Sequence, residues 1–301
     1  MAQRSDRLAL MAFAAYSVLA GGNAVGVRFS NQELDPFWGA TLRFGLAALL
    51  MVVVMFVTGH RFPKGRALLG AALYGLLAFG GAFAFAFYAL VELEAGFGQI
   101  LLSVVPLVTL LLAVLQRIEQ LRRSAVLGAL LAVAGVALMS GLTLEGPVPF
   151  LAIGAAFGSA ICFSQASIIV KRFPPVHPIV ENAVGMTTGA IFLAALTLVS
   201  GDQVVLPQQS ETWLAVVYMV VIGSGVVFTL YVVVLERWDA SRANYGFVIV
   251  PVVTVLVSAW LLDEQLGYGL IGGGALVLAG VYFGALRPAH PSRRKPETEH
   301  V

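Results

Sequence analysis

The sequence predicts an all-α integral membrane protein of ten transmembrane helices, built as two inverted five-helix repeats with both termini in the cytoplasm. Three observations predict it. The composition is too apolar for water. Ten segments of spanning length carry their positive charges on one side only. An internal repeat covers an odd number of segments.

The chain has 301 residues, 59% of them apolar (AVILMFWYC) and only 11% charged. Its mean hydropathy is +0.91. A soluble domain carries roughly 45–50% apolar and about 25% charged residues. A chain this apolar cannot cover its own surface in water, which excludes an ordinary soluble enzyme, a disordered protein and a nucleic-acid-binding domain. The formal net charge of +2 is too small to suggest a polyanionic partner. A single cysteine, Cys162, excludes a disulfide framework and a multi-cysteine metal site. The four histidines, His60, His177, His290 and His300, fall in hydrophilic stretches, so neither a metal nor another cofactor is expected.

A bilayer core of ~30 Å needs about 20 apolar residues per helix. Segments near 8–29, 37–57, 67–91, 94–115, 124–142, 149–170, 178–199, 213–235, 242–262 and 268–286 meet that length. Arg4 and Arg7 before the first segment also fit a secretory signal peptide, but the apolar run from Leu8 to Val27 exceeds a signal core. Residues 287–301, with three prolines and six charges, read as a disordered tail. With the N-terminus inside and ten crossings, 16 of the 18 lysines and arginines fall in inside loops or termini. The outside loops hold acids such as Glu33, Asp35, Glu145, Asp202 and Glu211, and no base. Only Arg28 and Arg43 lie within segments. That is the positive-inside distribution without a loop exception.

Sliding residues 106–140 onto 251–285, a shift of 145, gives twelve identities without a gap. Pro106 meets Pro251, Glu119-Gln120-Leu121 meets Glu264-Gln265-Leu266, Gly128 meets Gly273 and Gly135 meets Gly280. The halves are then 1–145 and 146–286. Five segments are an odd number, so the second half starts on the opposite side. Such inverted repeats are a signature of secondary transporters, with the substrate site between the halves near the midplane.

These residues resemble the drug/metabolite transporter superfamily, in its ten-helix EamA-type branch, over essentially the whole chain. The first half carries Thr41-Leu42-Arg43-Phe44, Tyr88-Ala89-Leu90, Pro106, Glu119-Gln120-Leu121 and Gly128 with Gly135. The second carries Pro251, Asp263-Glu264-Gln265-Leu266, Gly273 and Gly280. The sequence departs where Ile118-Glu119 and Asp263-Glu264 replace the usual Gly-Glu, and where segment seven offers Glu181 and Asn182 but no basic mate of Arg43. The resemblance implies an exporter of amino acids or other metabolites.

Polar groups in lipid are expensive, so their positions carry information. Arg43 either lines the pathway and holds a substrate carboxylate, or is structural, snorkelling outward or pairing with Glu92 or Glu94. Arg28, nearer the surface, reads as snorkelling. Gln99 and Asn244 are mates under the 145-residue shift and suggest a two-sided site, with Ser103 one turn after Gln99 and Tyr245 beside Asn244. Interhelical hydrogen bonding is the alternative role. Asn23, in a Gly-Gly-Asn step of segment one, and Ser164 with Gln165 in segment six sit at comparable depth. Tyr74, Phe79, Phe83, Phe85, Phe87, Tyr88, Phe228 and Tyr231 either face a cavity suited to an apolar or aromatic substrate, or a cation, or are ordinary packing. Pro106 and Pro251 each free a carbonyl, of Leu102 and Phe247, and are expected to act as hinges or cavity-shaping kinks. The paired glycines are expected to bring segments five and ten close to their neighbours. Gly267, Gly269 and Gly272 fit G-x-G-x-x-G, but they open a spanning helix instead of following a strand, so no dinucleotide site is expected.

No carboxylate lies deep in a segment, so downhill movement or exchange is at least as well supported as proton coupling. The expected function is secondary transport: export of small metabolites, amino acids first among them, across a bacterial-type cytoplasmic membrane. Export of purines, sugars or cationic compounds is the alternative; a lipid-acting intramembrane enzyme or a scramblase is the rival of another class, and no acid pair or nucleophile–base pair supports an enzyme. The expected partners are a small-molecule substrate and the lipid bilayer, with no nucleic acid, in a monomer or homodimer.

Overall fold

A computed structural model describes residues 2–92, 95–140, 150–262 and 268–286. All secondary structure among the described residues is helical. α1 (Ala2–Ser30) and α2 (Pro36–Val57) come first. α3 (Arg66–Gly75) runs through a π-helical turn (Leu76–Gly81) into α4 (Ala82–Glu92). α5 (Ala95–Leu115), α6 (Arg123–Ser140), α7 (Phe150–Arg172) and α8 (Pro178–Ser200) follow. α9 (Ser210–Val220) passes through a second π turn (Val221–Val226) into α10 (Val227–Arg237). α11 (Ala240–Asn244), α12 (Gly246–Leu262) and α13 (Tyr268–Val281), with a third π turn (Tyr282–Leu286), complete the chain.

Six stretches are long and apolar enough to cross a membrane: Arg7–Val27, Pro36–Val57, Arg66–Ala86, Phe150–Arg172, Pro178–Ser200 and Ser210–Arg237. Ser103–Leu115, Arg123–Leu138 and Ile271–Leu286 are shorter apolar stretches. Leu49, Val53, Phe56 and Val57 on α2, and Leu198 and Val199 on α8, are exposed. In lipid, that outward apolar face is the satisfied one. α1 belongs to the bundle, burying Ala9, Phe13 and Tyr16 in the same core as Phe44, Phe79 and Tyr231.

Helix starts are fixed by polar groups from elsewhere. Pro36 and Pro178 take the first-turn position whose N–H has no helical partner. The next amides of α2, Phe37 N–H and Trp38 N–H, donate to the Asp202 carboxylate at 3.0 and 3.1 Å. Asp35 accepts from Gln203 N–H at 2.7 Å, and Glu33 from Gln208 N–H at 3.0 Å and Gln209 N–H at 3.1 Å. The α1–α2 and α8–α9 loops are therefore stitched together by their acids. At the other end His60, after α2, stacks on His177, before α8, with ring centroids 4.1 Å apart.

Packing recurs with the 145-residue spacing. The first two π turns, at 76–81 and 221–226, are offset by it. α1 packs on α12, α10 and α9, while α7 packs on α5, α4 and α3. α6 crosses α13 so closely that a Cβ on Gly128 would lie 2.6 Å from the Gly280 carbonyl oxygen, and one on Gly135 2.6 Å from that of Gly273. The paired glycines thus meet each other within one chain.

The ninth apolar segment is not one straight helix. It breaks at Tyr245, between α11 and α12. The Ala243 carbonyl takes the Tyr16 hydroxyl as a donor from α1. Gly246 admits that ring, because a Cβ there would lie 1.9 Å from the Tyr16 oxygen. Freed backbone groups at membrane depth need such partners. The predicted tail, residues 287–301, and the Asp263–Leu266 motif lie outside the described residues.

Candidate functional site

Two buried polar clusters sit at different depths, joined by a column of aromatic rings. The first is built on the second π turn. There Val227 N–H reaches the carbonyls of Ile222 and Ser224, passing over Gly223. The Gly223 carbonyl instead accepts Arg43 Nη2 at 3.2 Å and Asn23 Nδ2 at 3.3 Å. Arg43 Nε donates to Ser224 Oγ at 3.0 Å, and Nη1 lies 3.9 Å from the Met219 sulfur. The guanidinium also lies 4.9 Å from the Phe44 ring centroid and 5.6 Å from that of Phe83. Arg43 is only 4% exposed. Buried to this degree, Arg43 does not snorkel, and no carboxylate among the described residues lies within 4.0 Å of it; the side chains of Glu92 and Glu94 lie outside the described residues. It borders a small cleft of about 10 Å³ lined by Val27, Ser30, Asn31, Gly39, Phe83 and Met219. That is room for about one water molecule. Asn23 Oδ1 is buried without a partner.

The second cluster is centred on Asn244, at the end of α11 where the helix breaks. Its Nδ2 donates to Thr109 Oγ1 on α5 at 2.7 Å and to Ser167 Oγ on α7 at 3.1 Å. Its Oδ1 accepts from the Tyr231 hydroxyl on α10 at 2.6 Å. Tyr231 and Ser167 are 2.7 Å apart, and Thr109 lies 2.9 Å from Ser164 Oγ. One amide therefore ties four helical elements. Beyond it, the end carrying the lysines and arginines is closed by further ties. Glu119 accepts from Ser241 N–H at 3.0 Å and also from its hydroxyl. Arg122 pairs with Asp239 at 3.7 Å. Gln116 and Gln165 exchange amide hydrogen bonds, the shorter 2.7 Å, and Arg172 donates to Gln116 at 3.1 Å.

The rings connect the clusters. Phe44 contacts Phe83 at 4.7 Å and Phe79 at 5.2 Å; Phe79 contacts Phe228 at 4.8 Å. Phe228 lies 6.4 Å from Tyr231, which packs on Phe247 at 5.2 Å and Tyr16 at 5.6 Å. All are within the range of offset or edge-to-face contact.

Of the residues singled out from sequence, Asn23 and Arg43 come together on the π turn, and Asn244 and Tyr231 join in the second cluster. Gln165 lies near the basic end with Gln116. Ser103 is fully buried on α5. Tyr245 points away from Asn244, its hydroxyl donating to the Ala125 carbonyl on α6. Tyr88 is 49% exposed on the bundle surface, apart from both clusters. Pro106 and Pro251 are buried inside α5 and α12. The side chains of Gln99, Phe87 and Arg28 lie outside the described residues. Sequence reading missed Tyr16, Thr109, Ser167, Gly223 and Ser224. Glu181 sits in the first turn of α8, as its position near a helix end implied, and is buried there.

Known proteins match this architecture. A family model, the EamA-like transporter family, matches residues 7–141 and 147–285. The uncharacterized inner membrane transporter YedA of Escherichia coli K12 is 27% identical over 258 residues, covering 84% of this chain and 82% of that one. A probable amino-acid metabolite efflux pump of Salmonella typhimurium LT2 is 26% identical over 293 residues, covering 94% and 95%. One solved crystal structure superposes with a TM-score of 0.78 at 22% identity, over 92% of this chain and 96% of that one, and so shares the fold. Matched twice along nearly its whole length by one transporter model, and carrying apolar helices able to cross a bilayer several times, this chain belongs to the EamA-like transporter family and is a multi-pass membrane protein.

Proposed function

We propose that the chain is a secondary transporter of the inner membrane that exports small metabolites, amino acids with aromatic or bulky apolar side chains first among them. Transport proceeds by alternating access between two inverted five-helix repeats, residues 1–145 and 146–286, in a ten-span bundle with both termini cytoplasmic. The basic end of the bundle then faces the cytoplasm. The two clusters are the substrate-binding half and the cytoplasmic gate, with the Pro106 and Pro251 kinks as hinges.

The observation that carries this reading is Arg43. A guanidinium buried in a membrane helix, with no carboxylate beside it among the described residues, is costly, and such groups mark ligand pathways. Here it borders a cleft and is framed by aromatic rings, a setting that suits an anionic head on an apolar body. The 145-residue recurrence of π turns and glycine contacts supports the inverted repeats. Two relatives at 26% identity are each named as a probable amino-acid metabolite efflux pump, which supports the substrate class.

The test is purified protein in proteoliposomes, assayed with a panel of labelled amino acids, purines, sugars and organic cations. Flux of at least one amino acid should exceed that of empty vesicles. Arg43→Ala should lower it about tenfold to a hundredfold at normal protein abundance, since a charge-assisted hydrogen bond contributes about 1.5–3 kcal/mol. If no solute in the panel crosses faster than through protein-free vesicles, the transporter reading is wrong.

A further inference from the structure

We propose that Asn23 and Arg43, held side by side on the second π turn, recognise both charges of an α-amino acid: Arg43 the carboxylate and Asn23 Oδ1 the α-ammonium. The proposal rests on the transport reading above and deepens it. It assigns specificity to the zwitterionic head group instead of the side chain.

The geometry begins with one oxygen. Arg43 Nη2 and Asn23 Nδ2 both donate to the Gly223 carbonyl, at 3.2 and 3.3 Å. Only the NH₂ end of an amide can face a carbonyl, so the Gly223 oxygen sets the orientation of Asn23. Oδ1 then packs against the Gly223 Cα, which offers no N–H or O–H, and is left buried without a donor. An unsatisfied buried acceptor is costly, and native structures seldom retain one without cause. A ligand ammonium supplies the missing donor.

Arg43 complements it. Its five N–H groups are only partly used by Gly223 and Ser224, while the Met219 sulfur is a weak acceptor. Donors remain for a planar, bidentate carboxylate. The α-carboxylate and α-ammonium of an amino acid are attached to one carbon, so they call for a donor group and an acceptor on neighbouring side chains, and Arg43 and Asn23 are neighbours on the Gly223 carbonyl. Phe44, Phe83 and Met219 line the cleft that Arg43 borders and offer an apolar wall to the side chain. Gly223 is required for the pairing: a Cβ there would lie 1.7 Å from Asn23 Oδ1. The cleft as it stands holds about one water. An amino acid therefore reaches the pair when α2 and the π turn separate, exchanging the Gly223 and Ser224 contacts of Arg43 for its own carboxylate.

The test uses full-length protein in proteoliposomes with labelled L-phenylalanine as probe. Phenethylamine, which lacks the carboxylate, and 3-phenylpropionate, which lacks the ammonium, are the competitors. Wild type should discriminate against each by at least tenfold in half-inhibitory concentration relative to unlabelled L-phenylalanine. Arg43→Gln should reduce discrimination against phenethylamine alone, and Asn23→Ala discrimination against 3-phenylpropionate alone. The analogue series on wild type decides even if a variant fails to fold. Phenylalanine flux with equal inhibition by either analogue overturns the proposal and leaves the transport reading standing. So does unchanged selectivity in a folded Asn23→Ala. Flux of only non-amino-acid solutes overturns it as well, whereas absence of all flux overturns the transport reading itself.

Discussion

Asn244→Ala should unlock the basic end of the bundle. The wild-type amide makes three hydrogen bonds, to Thr109 at 2.7 Å, Tyr231 at 2.6 Å and Ser167 at 3.1 Å. Interhelical hydrogen bonds in membranes average about 0.6 kcal/mol each, so removing three costs about 2 kcal/mol. The partners are not orphaned. Tyr231 and Ser167 keep each other at 2.7 Å, and Thr109 keeps the Val105 carbonyl at 2.8 Å, so no large desolvation penalty is added. If the cluster exists only while the basic end is closed, the whole loss falls on that state. Every 1.4 kcal/mol is a factor of ten, so about 2 kcal/mol raises the open population about thirtyfold. The assay is maleimide labelling of Ser164→Cys in a Cys162→Ala background, added from the side of the basic loops. Ser164 is fully buried beside Thr109, so labelling reports opening. The labelling rate should rise about thirtyfold in Asn244→Ala. An unchanged rate in a protein that is merely less stable would refute the gate and leave Asn244 as static glue between helices.

Gly280→Ala in α13 should destabilise by about 1–3 kcal/mol, the usual cost of overpacking, because its Cβ would lie 2.6 Å from the Gly128 carbonyl oxygen. Gly154→Ala in α7, where nothing lies within 4 Å, should be neutral or up to about 1 kcal/mol stabilising; unfolding in mixed micelles compares the two. His177 caps α8 by accepting the Ile179 N–H on Nδ1, and partial burial, then the neighbouring His60, hold its pKa below the ordinary histidine value. The folded protein therefore favours the neutral ring, so this contribution is present above pH 6.5 and is lost as pH falls below it. Thermal unfolding midpoints should fall from pH 7 to pH 5, and His177→Gln should flatten the decline; an identical slope in the variant would remove His177 from the account.

What could be read along the chain was whatever a single helix encodes. Spanning length, the basic loops and the matched prolines and glycines are all local or follow one shift. Arg43 and Asn244 stood out because charged and amide groups are rare in apolar segments. The hydroxyls did not. Ser17, Thr187 and Thr229 bond their own i−4 carbonyls, and along the sequence Ser167 and Thr109 look no different. The break at Tyr245 depends on Tyr16, 227 residues away from Ala243, so no local signal announces it. Aromatic faces were equally opaque. With lipid outside and packing inside, apolar residues lie on both sides of a helix, and periodicity cannot separate exposed Tyr88 from buried Phe79.

The two π turns explain why the polar cluster forms on one side of the bundle only. Under the 145-residue shift Arg43-Phe44 corresponds to Thr188-Gly189, and Ser224 to Phe79. In the second half the small pair lets α8 close on the first π turn. A Cβ on Gly75 would lie 1.9 Å from the Gly185 carbonyl oxygen, and one on Gly189 2.4 Å from Phe79 Cβ. Thr188 bonds the Ala72 carbonyl at 3.1 Å and seals that contact. In the first half Ala40 and Val220 replace the Gly185–Gly75 pair, and the longer Arg43 side chain stands between α2 and the second π turn, bonded to Gly223 and Ser224. An apolar groove of about 330 Å³, lined by Leu46, Leu49, Trp213 and Val217, remains between α2 and α9. One backbone device is thus used twice, once as a dry helix contact and once as a polar platform. Side-chain volume at two positions decides which. Replacing Arg43-Phe44 by Thr-Gly should let α2 close on the π turn as α8 does and abolish flux, at a cost in stability because Phe44 is fully buried against Phe79 and Phe83; a double variant that keeps transport would show that the gap has another cause.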